Sequence, residues 1–162
     1  MASERLHFRP AHTFRRRIEK AFQEEQEKIE RLLPRAEVVH TGATSLPAAL
    51  TRGDLDIHVR VSAGDFSQAR EAFALVYTSH RADMWTAGFA TFVAANAPIA
   101  TGVALTAMGS EHDRRFVVAW ERLERDPQLL EAHNAIKLKY EGAVDADSYE
   151  AAKSAFFTAL TK

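Results

Sequence analysis

Thiol chemistry is excluded because the chain contains no cysteine among its 162 residues. It therefore has no disulfide bonds, no zinc site built from thiolates and no cysteine nucleophile. Long apolar runs are also missing, since none reaches the ~18 residues that a membrane-spanning helix requires. Residues 1–10 lack the apolar core of a signal peptide, so we expect a cytoplasmic protein without a membrane partner.

The chain has no excess of positive charge, because 21 lysines and arginines stand against 22 aspartates and glutamates. The net charge of −1 lacks the cationic field of a general nucleic-acid binder, so bulk nucleic-acid binding is not expected. Apolar content is ample, since 46% of the residues are hydrophobic. We expect one globular domain over residues 1–162 with a real core, while the sequence sets no oligomeric state.

Helical periodicity dominates both ends of the chain. Residues 1–10 are predicted to be an irregular lead-in that ends at Pro10. The first helix is predicted to begin near Thr13, as its N-cap, and to stop before Pro34. A short helix follows Asp65, also a predicted N-cap. Three C-terminal helices are predicted near residues 111–125, 127–141 and 146–160. Asp126 is the predicted N-cap of the second of these helices and Gly142 its predicted end, while Asp147 is the predicted N-cap of the third.

Strand patterns fill the centre of the chain. Residues 38–40 and 54–61 are predicted strands, and residues 76–108 carry two or three more, with a hairpin near 96–98. Strands between helices, with connections too short for repeated parallel crossovers, predict an α+β fold. We expect a mixed central sheet of about four to five strands flanked by helices. The core would span about 12–108, and the C-terminal helical section about 111–160.

The strand over residues 54–61 alternates polar and apolar side chains. Period two places Asp54, Asp56, His58 and Arg60 on one face. Neighbouring carboxylates repel each other unless that face meets water or a cation, and oxygen ligands suit Mg²⁺. His58 is then a candidate third ligand or proton shuttle. The alternatives are an edge strand whose surface carboxylates pair with Arg52 or Arg60, and a His58 imidazole that pairs with a carboxylate.

A small turn precedes that strand, at Thr41-Gly42-Ala43-Thr44-Ser45. The backbone N–H groups of Gly42, Ala43 and Thr44 are candidates to line a phosphate, since glycine permits close approach. The hydroxyls of Thr44 and Ser45 would add hydrogen bonds. The alternative is an ordinary strand-ending turn, in which Gly, Thr and Ser are common.

These residues carry a resemblance. One pattern resembles the signature of the DNA polymerase β-like nucleotidyltransferase superfamily. In it, Gly42-Ala43 are followed, after ten residues, by Asp54-Leu55-Asp56-Ile57. The longer pattern His40-x-Gly42-x-Thr44-Ser45-x-Pro47 is similar to that of the GrpB family (UPF0157) within it. Further matches to the helical tail of that family are Asp126-Pro127, Ala135-Ile136-Lys137-Leu138 and Tyr149-x-x-x-Lys153-x-x-Phe156.

The resemblance implies a minimal nucleotidyltransferase fold that uses a nucleoside triphosphate and Mg²⁺. It implies that Asp54 and Asp56 are the catalytic and metal-binding acids. The implied phosphate-binding residues are Gly42, Ala43, Thr44, Ser45, Arg52, Lys137 and Lys153. From position on a helix alone, the two lysines would more often be solvated.

The sequence also departs from the superfamily pattern. Ala43 stands where a serine is usual, and Arg52-Gly53 stand where lysine and proline are expected. Active members carry a third carboxylate on a later strand, but the matching residues 101–106 contain no acid. Glu111 or Asp113 would replace it only if the loop after Met108 folds back.

Three hypotheses follow from the sequence. In the first, the protein transfers a nucleotidyl group from a triphosphate to an unknown small acceptor. In the second, it is a non-catalytic module that binds a nucleotide or a small phosphorylated ligand and has lost the third acid. In the third, it is a structural or interaction protein that binds neither.

Overall fold

The computed structural model describes residues 4–162, which contain five α-helices and seven strands. The helices are α1 (Arg15–Leu32), α2 (Phe66–Val76), α3 (Glu111–Arg125), α4 (Pro127–Lys139) and α5 (Ala146–Leu160). The strands are β1 (Arg9–Pro10), β2 (Glu37–Thr41), β3 (Leu50–Thr51), β4 (Leu55–Val61), β5 (Thr78–His80), β6 (Phe89–Val93) and β7 (Thr101–Ala107). The predicted α+β class is confirmed.

The main sheet has the strand order β2-β4-β7-β6-β5. Strand β4 is antiparallel to β2 and parallel to β7, with Leu55 opposite Thr101 and Val61 opposite Ala107. Strands β6 and β7 form the predicted hairpin, in whose turn Asn96 has a φ of 62°. The sheet is therefore mixed, as predicted. The alternative that the two acids lie on an edge strand is wrong, because β4 lies between β2 and β7.

The two faces of the sheet have different roles. One face carries the apolar side chains of β4 and β7 and packs against α1 and α2 to form the main core. The other face carries Asp56, His58 and Arg60 from β4, and it looks toward the C-terminal helices. Those helices meet the segment after β2 in a second, smaller core formed by Leu46, Ala49, Ala119, Leu123 and Leu160.

The starts of the first two helices differ in detail from the prediction. Thr13 is not the N-cap of α1, because it lies within a 3₁₀ turn over Ala11–Phe14, and its Oγ1 donates to the backbone oxygen of Pro10 (2.7 Å). Asp65 holds the N-cap position of α2 without a side-chain capping bond. Its Oδ1 accepts instead from Arg35 (2.9 Å). Tertiary pairing has replaced local capping at this site.

The C-terminal caps are partly as predicted. Asp126 caps α4, since its carboxylate accepts from the N–H groups of the first turn. Asp147 was the predicted cap of α5, but the cap is Asp145, whose Oδ1 accepts from the N–H of Ser148 (3.0 Å). Helix α4 ends at Lys139, and its C-cap is Tyr140. Gly142 therefore lies two residues after the C-cap, in the connecting turn, where its φ is 77°.

The N-terminal residues are more ordered than expected. Residues 1–10 were predicted to be irregular, yet β1 pairs with β3 in a separate two-stranded sheet, with Arg9 opposite Thr51. Residues 1–3 lie outside the described part of the chain. Among residues 4–162, no helix combines the length and the apolar character that crossing a bilayer requires.

Candidate functional site

A cleft of about 830 Å³ lies between the polar face of the sheet and the C-terminal helices. Its floor is formed by the ends of β2, β4 and β7, and its other walls come from α3, α4 and α5. The residues that line it include seven of the ten predicted from sequence: Gly42, Ala43, Arg52, Asp54, Asp56, Lys137 and Lys153. The structure therefore brings the predicted acids and the predicted cations into one concave space.

Asp56 lies directly against the turn at Gly42. A Cβ built on Gly42 would lie 2.3 Å from Oδ2 of Asp56, and the φ of Gly42 is 76°. On the other side, a Cβ on Gly102 would lie 3.4 Å from Oδ1 of Asp56. The carboxylate is therefore held between two glycines, one directly after β2 and the other on β7. Both the space and the backbone angle explain why position 42 is a glycine.

The two acids face the cleft without a salt bridge. Among residues 4–162, neither Asp54 nor Asp56 has a salt-bridge partner, since Arg60 pairs with Glu37 and Asp113 instead. Solvent reaches the side chain of Asp56, although protein atoms surround it on the cleft floor. Desolvation by these atoms, together with the charge of Asp54, raises the pKa of Asp56 to about 6. A cation bound beside Asp56 would stabilise its ionised form.

The hydroxyls of the turn are engaged within the protein. Oγ1 of Thr44 donates to the backbone oxygen of Asp54 (3.0 Å) and lies 3.0 Å from Nε2 of His40. Oγ of Ser45 donates to the backbone oxygen of Gly42 (2.6 Å). Neither Thr44 nor Ser45 lines the cleft. The prediction that these hydroxyls face a phosphate is therefore corrected: they hold the shape of the turn.

The backbone of the turn remains available for an anion. The N–H of Ser45 donates to the oxygen of Gly42 (3.0 Å). By contrast, the N–H of Ala43, a residue that lines the cleft, has no hydrogen-bond acceptor among residues 4–162. A free N–H group beside a glycine can donate to an anion.

His58 is removed from the candidate metal ligands. Its ring is buried, and Nε2 lies 2.8 Å from Oγ1 of Thr106 and 3.5 Å from Oδ1 of Asp113. Burial is the main reason that the pKa of His58 falls to about 4. The ring packs under Phe116 of α3 and does not line the cleft. The alternative of an imidazole paired with a carboxylate holds only indirectly, because the Thr106 hydroxyl that His58 contacts donates in turn to Oδ1 of Asp113 (2.8 Å).

A third carboxylate is missing from the cleft face of β7. In the parallel register, Gly102 lies opposite Asp56, Ala104 opposite His58, and Thr106 opposite Arg60. Asp113 does not replace the missing acid, because it is 1% exposed and bonded to Arg60, Thr106 and the N–H of Gly109. Glu111 pairs with Arg115 on the exposed surface and does not line the cleft.

Two acids and no third ligand suit one hard cation. Among residues 4–162, no three His, Asp or Glu side chains are grouped as a metal site. Mg²⁺ needs only one or two carboxylates when waters and substrate phosphates complete its shell. Asp54 and Asp56, with a solvent-filled cleft above them, therefore fit one such ion but not a protein-built pair of ions.

Lys137 of α4 brings a buried cation into the cleft. It is 5% exposed, and its Nζ donates to the backbone oxygen of Leu50. Burial and the neighbouring Lys153 lower the pKa of Lys137 to about 8, against the opposing effect of Asp56 and Asp54. Sequence position suggested a solvated lysine, but the tertiary contact with β3 has turned it inward.

Lys153 and Arg52 complete the positive side of the site. Nζ of Lys153 lies 3.1 Å from Oε2 of Glu150, and the side chain is partly exposed beside the cleft. Arg52 is exposed at the cleft mouth, between β3 and Asp54. Both side chains have the freedom to move toward an anionic ligand.

Several aromatic residues of the cleft were missed at the sequence level. Trp120 and Phe157 pack on the second core and also line the cleft. Tyr149 was noted as a tail match without a site role, yet it lines the cleft beside Phe8. Nothing in the sequence around Phe8 signals a site, because its position depends on contacts more than 130 residues away.

Comparisons with known proteins agree with the fold. A family model described as GrpB protein matches residues 12–162. A UPF0157 protein from Vibrio cholerae serotype O1 is 25% identical over 156 residues, covering 96% of this chain and 82% of that protein. The crystal structure of the conserved protein GrpB from Enterococcus faecalis matches with a TM-score of 0.66 and 15% identity, over 88% of this chain and 91% of that chain. A crystal structure of the Cid1 poly(U) polymerase with MgGTP bound matches with a TM-score of 0.45 and 16% identity, over 74% of this chain and 39% of that chain.

Proposed function

This chain belongs to the GrpB family, and from its cleft we propose that it binds a nucleoside triphosphate with Mg²⁺ and transfers the nucleotidyl group to a small acceptor. The observation that carries the proposal is the contact between Asp56 and the Gly42 turn on the cleft floor. The contact supports the proposal because a carboxylate oxygen, the kind of ligand that a hard cation prefers, lies beside a glycine bend of the kind that a phosphate can approach closely.

The acidic side of the site would hold the cation. Asp54 and Asp56 supply two carboxylates from the same end of β4, and water and phosphate oxygens complete the shell. When bound, Mg²⁺ supplies neutralisation of the phosphate charge and alignment of the reacting groups. The raised pKa of Asp56 fits this role, because a cation favours its ionised form.

The basic side would hold the phosphates. The N–H of Ala43 would donate to one phosphate at the turn. Lys137 and Lys153, on the helical wall, and Arg52, at the cleft mouth, would neutralise the remaining charge. Lys137 is already desolvated, so its attraction to a phosphate is weakened less by water than that of an exposed lysine.

The transfer itself is a displacement at the α-phosphorus. A hydroxyl oxygen of the acceptor bonds to that phosphorus while the bond from it to the bridging oxygen of the β-phosphate breaks. Pyrophosphate leaves, and the proton of the acceptor passes to water in the cleft. The three basic side chains stabilise the charge that develops on the departing pyrophosphate.

The second candidate is a module that binds the nucleotide, or another small phosphorylated ligand, without transfer. It is favoured by a specific observation, the lack of an acid at Gly102, Ala104 and Thr106 on the cleft face of β7. With one cation instead of two, the attacking oxygen has no metal to activate it. The two candidates share one binding site and differ only in turnover.

The test is a titration of nucleoside triphosphates into the protein with and without Mg²⁺. A ligand that binds only the folded form must raise the melting temperature, so the wild type should respond to at least one nucleotide with Mg²⁺. Asp56→Asn should lose that response. The matched control is Asp83→Asn, because Asp83 pairs with Arg81 on the exposed surface away from the cleft.

Pyrophosphate release then separates the candidates. Release that depends on Asp56, in the presence of pooled small acceptors, supports nucleotidyl transfer. Binding without release supports the non-catalytic module. If no nucleotide or small phosphorylated compound raises the melting temperature of the wild type, both candidates are contradicted.

A further inference from the structure

The N-terminal segment Arg5–Pro10 is fastened to the turn between α4 and α5. The N–H of Leu6 donates to the oxygen of Ala143 (2.9 Å), and the N–H of Gly142 donates to the oxygen of Leu6 (2.6 Å). The N–H of Phe8 donates to Oε2 of Glu141 (2.8 Å). The segment lies outside the family match, which begins at residue 12, but these bonds hold one of its residues, Phe8, in the lining of the cleft.

Phe8 presents an aromatic ring to the cleft from this segment. The ring is partly exposed, lines the cleft, and lies 5.3 Å from the ring of Tyr149, centroid to centroid. Nζ of Lys137 lies 5.9 Å from its centroid. Phe8 belongs to neither core cluster, whereas Trp120 and Phe157, two other aromatic residues of the cleft, pack on the second core. The fold therefore does not need this ring for its core.

The Phe8–Tyr149 pair lies beside the two lysines that are proposed to bind the phosphates. Nζ of Lys137 lies 5.9 Å from the ring centroid of Phe8, and Nζ of Lys153 lies 5.4 Å from the ring centroid of Tyr149. In a nucleotide, only the ribose separates the α-phosphate from the base, so a nucleotide whose phosphates contact these lysines has its base close to the aromatic pair.

We infer that Phe8 is a ligand-contacting residue that stacks on the base of the bound nucleotide. The inference rests on the proposed function and assigns the ligand a planar aromatic group in addition to its phosphates. Stacking is tolerant of base identity, because every base has a π-face. The ring therefore supplies affinity for nucleotides as a class, and the cations of the cleft supply affinity for their phosphates.

The experiment compares a ligand that has a base with one that has none. ATP and inorganic tripolyphosphate, each with Mg²⁺, are titrated by calorimetry into the wild type, Phe8→Leu and Phe8→Tyr. Phe8→Leu should weaken ATP at least about fivefold and leave tripolyphosphate unchanged. Phe8→Tyr keeps the ring and should retain the ATP affinity. Tyr140→Leu is the matched control, because Tyr140 packs on Tyr149 (5.9 Å) but does not line the cleft.

A second variant tests the fastening of the segment. Glu141→Ala removes the acceptor of the Phe8 N–H and should also weaken ATP selectively, with the melting temperature recorded as a folding check. An equal loss for ATP and tripolyphosphate in Phe8→Leu would overturn the inference, since the ring would then only support Lys137. No loss for either ligand would overturn it as well. If the wild type binds neither ligand, the proposed function has failed and the inference fails with it.

Discussion

Arg60 binds Asp113 through two parallel hydrogen bonds, Nε to Oδ1 at 2.7 Å and Nη2 to Oδ2 at 2.9 Å. Arg60 lies on β4, the strand that carries Asp56, and Asp113 lies in the first turn of α3, which forms one wall of the cleft. The pair therefore joins the floor of the site to its wall. A bidentate geometry of this kind fixes orientation as well as distance.

We expect Asp113→Ala to destabilise the protein by about 3–5 kcal/mol, because it leaves a partly buried guanidinium and several buried donors without their acceptor. The measurement is the free energy of unfolding in urea. Asp83→Ala removes the exposed pair with Arg81 and should cost less than about 1 kcal/mol. Similar losses for the two variants would contradict a joining role for Asp113.

Gly42→Ala should disable the site. Its Cβ would overlap Oδ2 of Asp56 at 2.3 Å, and its φ of 76° strains any other residue by about 1–3 kcal/mol. We expect a lower melting temperature and loss of Mg²⁺-dependent nucleotide binding. Gly64→Ala is the control, since a Cβ at Gly64 meets nothing within 4 Å. Unchanged nucleotide binding in Gly42→Ala would show that the turn is not part of the site.

Asp56→Asn should stabilise the cation-free protein at alkaline pH. The pKa of Asp56 rises from 3.8 to about 6 on folding, so its stability contribution is full below about pH 3.8 and lost as pH rises through 6. At pH 8 the variant should therefore melt higher than the wild type, but at pH 4 it should not. The check is melting temperature against pH, with Asp147→Asn as an exposed control on α5. A lower melting temperature at pH 8 would contradict this assignment.

Lys137→Met should weaken nucleotide binding about tenfold or more, because a hydrogen bond to a charged group contributes about 1.5–3 kcal/mol. The pKa of Lys137 is about 8, so wild-type affinity should fall as pH rises above 8, while the affinity of the variant should stay flat there. Titrations from pH 7 to 9 test both effects. The control is Lys139→Met, an exposed lysine on the same helix, whose parallel behaviour would refute the role of Lys137.

Ala104→Asp should create a second cation position. Ala104 lines the cleft on β7, one strand from Asp56, on the face where a third acid is missing. Calorimetry with Mn²⁺ in the presence of nucleotide should count one ion in the wild type and two in the variant, and any pyrophosphate release should rise. Ala151→Asp adds the same charge on exposed α5 outside the cleft. If Ala104→Asp binds only one ion, as the control Ala151→Asp is expected to do, residue 104 does not provide a second cation position.

The order of elements was readable from the sequence because it depends on local periodicity. The alternation over residues 54–61, the hairpin near 96–98 and the three C-terminal helices all appear in the structure close to their predicted bounds. The helix caps were less predictable, because sequence spacing does not reveal which partner an aspartate will bind. Asp65 accepts a hydrogen bond from Arg35 and does not cap its helix, whereas Asp145 caps α5. Local pattern thus decided the elements but not their ends.

In the site as well, features set by residues close in sequence were predictable, and features set by distant contacts were not. The nearness of Gly42 to Asp56 followed from a turn and a strand that are close in sequence, and the structure brings them into contact. The roles of Thr44, Ser45 and His58 did not follow. Their polar atoms are used by a backbone oxygen and by distant side chains, such as Thr106 and Asp113. A side chain with several possible partners is assigned only by three-dimensional packing.

By itself the sequence determined the α+β class, the acid-bearing strand and the glycine turn, because period-two alternation and glycine's backbone freedom are local properties of the chain. Only the tertiary structure decided that β4 lies in the interior of the sheet, that Lys137 turns inward, and that Phe8 reaches the same cleft. These three facts rest on contacts between residues far apart in sequence, whose energies depend on the packed arrangement and not on local spacing.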